Sequence, residues 1–434
     1  METKTVNKYT RKIKDFIDKH YYRNIIKNYD DNEIIKNIGN SFDNIIVPSY
    51  SLVDSFEISK SNDYSNKSLI YSALLDLYNS GKIDKSYFGF DPNNFKLFID
   101  WIRKEIKSID LKILFKDTKY YDIFFDPPVA KKILFNILYS NIFISLDSIH
   151  HIECEDLIYE HYKKDNINVH IHYLKRDDHK IDVDMIFKII YFFRTFFKSE
   201  KHLDIYCILG KQKKFISKFD YLCSDNINSG LCAYNKYIMI WRKEEFYKVL
   251  IHELCHYYHV DYHVDNTIYK YFKKMINVQC DLFNDAVNES FNESIALIIH
   301  SIIYSVVYKK SFTYIFNYEV LFTQFQISKI LNHMEMDKLS DILIKPVKQT
   351  TSVISYYIIK YLFIVNIQTL LNYIEENGFI TQDKNNFFKL YTLVFNEDSI
   401  NSVNLEKQFE LFKYKENKFI YNTLCMAMFQ LSEK

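Results

Sequence analysis

The chain has 434 residues, 48% of them hydrophobic and 26% charged, a balance that excludes wholesale disorder and is too long for one small core. Lys and Arg number 56 against 55 Asp and Glu, so the net charge is +1 and no global field draws in nucleic acid or an anionic membrane. With only 6 glycines and 5 prolines, a phosphate-cradling glycine loop is hard to place, which disfavours ATP- or NAD-dependent chemistry.

Residues 1–15 are polar and charged, without the apolar segment of a secretory signal. Residues 1–110 read as mostly helical, with breaks near 48–51 and 89–94. Asp91 and Pro92 precede an amphipathic run at 95–109. Pro127 and Pro128 open a further helix at 129–138. Alternation predicts a strand at 169–174. An apolar helix follows at 182–197, then a strand at 203–209 that Gly210 ends. A turn-like stretch at 225–230 leads to another strand at 237–241. From residue 244 onward nearly everything has helical period. The expectation is an α+β chain that is predominantly helical. It has a mostly helical N-terminal extension (1–180), a mixed core (181–310) and a helical C-terminal lobe (311–434).

Several features invite a special role and have a plainer one. The apolar runs at 295–308 and 353–371 are interrupted by His300, and by Lys360, Asn366 and Gln368. They read as buried helices, and no membrane partner is expected. Seven cysteines without a C-x-x-C pair fit reduced thiols in an intracellular, cytoplasmic setting. His170 and His172 face one side of a strand and read as sheet-face histidines; the adjacent His150 and His151 read as structural. The basic stretch KQKKFISK at 211–218 reads as a loop after a strand, and the aromatic richness as core packing. No nucleic-acid partner is expected.

One segment carries chemistry: EEFYKVLIHELCHYYHVDYH, residues 244–263. His252 and His256 are four apart, so on a helix both imidazoles face one metal ion. Zinc accepts neutral imidazole and, in catalytic sites, keeps one position open for water. Glu253 lies about 100° further round the helix, beside that position rather than on the ion, where it can act as general base. A helical wheel places His252, His256, His259 and His263 on one face and Phe246, Tyr247, Leu250, Leu254, Tyr257 and Tyr258 on the other. Cys255 reads as a small buried side chain. The metzincin continuation H-x-x-G-x-x-H does not fit. His259 stands at its glycine, Tyr262 at its last histidine, and His263 is one residue late. Without glycine the helix is expected to run on, leaving His263 about 10 Å from His256 along the axis.

A second segment, DAVNESFNESIALIIH at 285–300, places Glu289 and Glu293 on one face of an otherwise apolar helix. Acids in such a setting need a partner or a metal. Glu289 would complete a His, His, Glu set, and Glu293, one turn on, would hold a ligand histidine by its other ring nitrogen. The swapped assignment, with Glu293 as ligand, stays open; His263 and Asp261 are next in line.

HELCH and NESFNE together resemble the active-site helix and the E-x-x-x-[DE] helix of the gluzincin metallopeptidases, of which thermolysin is the familiar member. The stretch 228–256 is similar to predicted metallopeptidases of giant DNA viruses. The resemblance covers about 203–308. It implies a zincin-like core, an edge strand (here 237–241) that binds extended peptide, and a cleft between two mostly helical lobes. It also implies Zn2+ and a peptide or protein substrate. It makes Glu253 the base, His252, His256 and Glu289 the ligands, and virus-infected cytoplasm or a virion the setting. The chain departs from thermolysin in the 32 residues between His256 and Glu289 and in lacking an evident histidine for the oxyanion. The alternative is an inactive zincin fold kept as a structural or interaction protein, against which the intact Glu253 argues.

Overall fold

The computed structural model describes residues 121–122, 136–139, 144, 146–153, 157–174, 181–197, 199–210, 212–216, 221–260, 266–276, 286–308, 312–377, 384–406, 409 and 422–431. The expected helical region 1–110, most of 129–138, and Asp261, Tyr262 and His263 lie outside them. In chain order the strands are β1 (Tyr121–Asp122), β2 (Leu157–Lys164), β3 (Ile167–Leu174), β4 (Leu203–Gly210), β5 (Gly230–Ala233) and β6 (Tyr237–Arg242). The helices are α1 (Leu146–Glu153), α2 (Val183–Phe196), α3 (Ser224–Ile227), α4 (Phe246–Tyr257), α5 (Asn266–Met275), α6 (Ala286–Tyr308) and α7 (Phe312–His333). They continue with α8 (Lys360–Val365), α9 (Ile367–Asn377), α10 (Lys384–Val394) and α11 (Glu397–Asn401). A π-helical segment, Ile354–Ile359, runs directly into α8. The chain is α+β. Among the described residues no helix is long and apolar enough to cross a membrane.

The strands form one mixed sheet in the order β1-β2-β3-β4-β6-β5. β3, β4 and β6 are parallel neighbours, while β2 pairs antiparallel with β3 and β5 with β6. Alternation assigns the faces. Ile167, Val169, Ile171, Leu203, Ile205, Cys207, Ile238 and Ile240 enter the main core with α2 and α4. Ile208, Met239 and Trp241 point the other way and pack with Ile149 and Ile152 of α1.

Three expectations change here. The strand at 237–241 is not the edge: β6 lies between β4 and β5, and β5 ends the described sheet. The reason is legible in YIMIWR, which is apolar on both faces as inner strands are. The boundary at 180 is crossed by the sheet, because β3 pairs with β4. No break in packing falls at 310 either, since one apolar core runs from β3 through α4 and α6 into α7–α10.

His170 and His172 lie on the sheet face opposite the main core. The His170 ring stacks on His161 at 4.4 Å and on Tyr206 at 4.7 Å, and its Nδ1 is 2.8 Å from the Tyr159 hydroxyl. Burial, then the neighbouring histidine, pushes His170 down to about 4 and His172 down to about 3. Folded values below the unfolded ~6.5 mean stability that is complete above pH ~6.5 and lost as pH falls toward those values. The slope is about 1.4 kcal/mol per pH unit for each such histidine. His172→Leu should therefore flatten the fall in urea midpoint between pH 7 and pH 5; an unchanged slope would remove this histidine from the account.

Candidate metal centre

α4 begins in a tight step from β6. Arg242 closes the strand, and Glu245 takes a left-handed backbone (φ 59°) from which the helix starts. That conformation costs a non-glycine residue energy, and the buried Glu245 carboxylate is anchored by Lys214 Nζ at 2.8 Å. All twelve residues of α4 are buried. The histidine face is thus an interior face, covered by α6 and the π-helical segment rather than by water.

The helix also stops where the absence of glycine argued for continuation. His259 adopts φ 56° and donates its N–H to His256 O at 3.0 Å, while Val260 N–H reaches Cys255 O at 2.9 Å. This is the paired-bond helix ending usually made with glycine. His259 fills that position with its ring stacked on Tyr234 at 5.3 Å. It does not continue the stripe with His252 and His256.

α6 packs along α4 and brings Glu289, Asn292 and Glu293 to it on one face, at i, i+3 and i+4. His252 Nε2 and His256 Nε2 are 3.1 Å apart, and Glu289 Oε2 is 3.0 Å from the first and 3.2 Å from the second. Three donor atoms therefore form a nearly equilateral triangle that could hold a metal ion.

The other ring nitrogens show how the imidazoles are held. His252 Nδ1 lies 3.1 Å from Glu293 Oε2, and His256 Nδ1 lies 2.9 Å from the Asn292 side-chain amide. With Nδ1–H donating to Glu293, and to the Asn292 oxygen once that amide is turned toward the ring, both Nε2 atoms carry bare lone pairs. In that state two lone pairs and the Glu289 oxygen converge as a bound cation requires; without one, burial opposes a proton on His252, but the Glu289 and Glu293 carboxylates outweigh it and raise that pKa.

The acids differ accordingly. Burial raises the Glu289 carboxyl, but the His256 and His252 imidazoles outweigh it and hold the group well below the carboxylate range. Burial likewise opposes Glu293, and the Lys248 ammonium, then His252 and Lys360, outweigh it. Glu293 Oε1 bonds Lys248 Nζ and lies 3.7 Å from Lys360 Nζ. Glu289 faces the Nε2 corner and Glu293 the back of His252, the order favoured over its swap in the sequence reading.

The Glu253 carboxylate lies against β5. Burial pushes its carboxyl up to about 7, with the imidazoles of His252 and His256 pulling the other way. β5 crosses it so closely that a Cβ on Gly230 would stand 2.6 Å from Glu253 Oε1 and 2.7 Å from Val249 Cγ1. Only glycine leaves room there for the carboxylate.

Several neighbours of the site escape sequence reasoning. Tyr356, in the π-helical segment, sets its ring 6.1 Å from that of His252, on the side of Glu289. Burial, then the Glu289, Glu253 and Glu293 charges, raise that phenol's pKa well above the ordinary value. The π turn that aims it is a local irregularity of the kind often found at functional sites. Nothing marks it among 37 tyrosines. Lys248 and Lys360 do leave a signal: each is a lone cation in an apolar helical run, a placement that needs a buried anion. Comparison with family models, curated proteins and solved structures finds no match for this chain.

Proposed function

We propose that this chain is a zinc-dependent peptidase, a reading carried by the triangle of His252 Nε2, His256 Nε2 and Glu289 Oε2 with Glu253 beside it. Donors on a tetrahedral zinc with bonds of about 2.0–2.1 Å stand about 3.3 Å apart, close to the 3.0–3.2 Å separations here. Two imidazoles, oriented by Glu293 and Asn292 behind them, and one carboxylate suit that ion and leave a position open. When bound, zinc supplies a Lewis acid that acidifies a water and polarises a carbonyl.

The chain's own residues do the rest. Glu253, enclosed and pushed up to about 7, accepts the proton from the attacking water and passes it to the leaving amine nitrogen. Tyr356 offers an O–H donor next to the ligand carboxylate, placed to bond the oxygen on which negative charge develops. β5, the outer strand of the described sheet, lies directly over Glu253 and offers its outer edge to an extended peptide. The test is zinc per chain in purified protein together with hydrolysis of a broad peptide library. One zinc per chain and metal-dependent cleavage are expected, with Tyr356→Phe lowering kcat while leaving zinc bound. One zinc with no cleavage of any peptide would favour a structural zincin fold instead.

Gly230→Ala isolates the base from the metal. The added methyl would collide with the Glu253 carboxylate and Val249 but reaches none of the three ligand atoms. Zinc affinity should stay within about twofold, while a displacement of the base on the order of 1 Å should cost ~10–100-fold in kcat. Full activity in this variant would mean that Glu253 does not work from where it sits.

A further inference from the structure

Residues 423–429 are buried, yet they form no helix, and a single bridge to Phe215 is their sheet-like pairing. Their backbone groups are taken up largely by interior side chains. Lys329 Nζ donates to Thr423 O, the Tyr357 hydroxyl to Leu424 O and Gln326 Nε2 to Cys425 O. Glu245 Oε1 accepts the amides of Met426 and Ala427 at 2.7 and 2.5 Å, and Glu319 those of Met428 and Phe429 at 2.8 and 2.9 Å. Lys360 Nζ donates to Met426 O at 3.0 Å. Buried ammonium and carboxylate groups are tolerated only when paired in this way. Glu245 before α4 and side chains from α7, the π-helical segment and α8 thus hold this bent stretch of backbone in the interior.

The segment shares side-chain partners with the candidate metal centre. Glu293, which holds His252 Nδ1, is itself held by Lys248 and Lys360. Lys360 is the donor to Met426 O, and Lys248 Nζ lies 3.7 Å from Met426 Sδ. We propose that the 422–431 segment is a peptide ligand bound in cis whose seating is coupled to occupancy of the metal site, with Lys248 and Lys360 as positioning residues between them. This rests on the metal reading above. A cation on His252 Nε2 fixes the ring, the ring fixes Glu293, and Glu293 fixes the two ammonium groups that hold Met426. Lys248, Glu293 and Lys360 are at most 2% exposed, so no water replaces a contact that slips. By linkage, the factor by which bound metal tightens the segment equals the factor by which the seated segment tightens the metal.

The experiment uses the full chain. Zinc uptake is measured first, then hydrogen exchange at the amides of Met426, Ala427, Met428 and Phe429 with zinc and after chelation. Exchange should be ~10-fold slower with zinc bound. Glu319→Gln, which replaces an acceptor oxygen at the segment's anchor with an amide and touches no ligand, should speed exchange there and weaken zinc by ~3–10-fold. A chain that takes up no zinc overturns the metal reading and the coupling together. Zinc uptake with identical exchange rates overturns the coupling alone, as does a Glu319→Gln variant that loosens the segment and binds zinc as before. Should Glu319→Gln unfold the chain or leave the segment as tight, the comparison in the unaltered chain decides.

Discussion

Glu253→Gln should keep one zinc per chain and lose hydrolysis by ~10²–10⁴-fold, the usual worth of a general base. The amide matches the carboxylate in shape, so it fits beneath Gly230, where a Cβ would lie 2.6 Å from Oε1. It cannot accept the proton that the reaction must move. The ligand atoms stay untouched, because the triangle consists of His252, His256 and Glu289. Zinc content by metal analysis, with peptide cleavage on the same preparation, checks both halves. Loss of zinc from Glu253→Gln would place Glu253 on the metal and cancel its role as base.

The second large effect separates the two acids of α6, which spacing alone leaves equivalent. Glu289→Ala should release zinc, as should His252→Ala and His256→Ala, since each removes one corner of a three-donor set. Glu293→Ala should weaken zinc by only ~10–100-fold, as loss of a group that orients a ligand does. The folded state should respond in the reverse order. Glu293→Ala strands Lys248 and Lys360, both buried, without their shared anion, and an uncompensated buried charge costs about 3–5 kcal/mol. Glu289 pairs with the two imidazoles, which can give up a proton, so its loss in the metal-free chain should cost far less. Zinc titrations and urea unfolding of the two metal-free variants, side by side, give four numbers. If Glu293→Ala empties the site while Glu289→Ala keeps it, the ligand assignment shifts by one turn of α6.

Much of the site is legible in the chain. His252, Glu253 and His256 are fixed relative to one another by helical geometry, because i and i+4 share a face and i+1 does not. The two acids on an apolar helix announce that they need a partner, and so do Lys248 and Lys360 in their own apolar runs. The strands at 203–210 and 237–242 follow from alternation and from the run that is apolar on both faces.

Other features depend on contacts between residues far apart in sequence, and no local pattern encodes those. Which strand is the edge was decided by β5, a four-residue piece with a glycine start that reads as part of a turn. Where α4 ends was decided by His259, whose left-handed backbone is held by two capping bonds and a ring stacked on Tyr234. Which glutamate meets the Nε2 atoms was decided by the packing of α6 on α4, a matter of depth along the helix that periodicity cannot give. Tyr356 and the 422–431 segment enter the site's surroundings only because the C-terminal half folds back across the same core. Helical spacing determined by itself the residues able to bind a metal and move a proton. Tertiary packing decided which oxygen meets the two Nε2 atoms, which strand lies over Glu253 and what stands behind the two histidines, because each of those is a distance between separate elements.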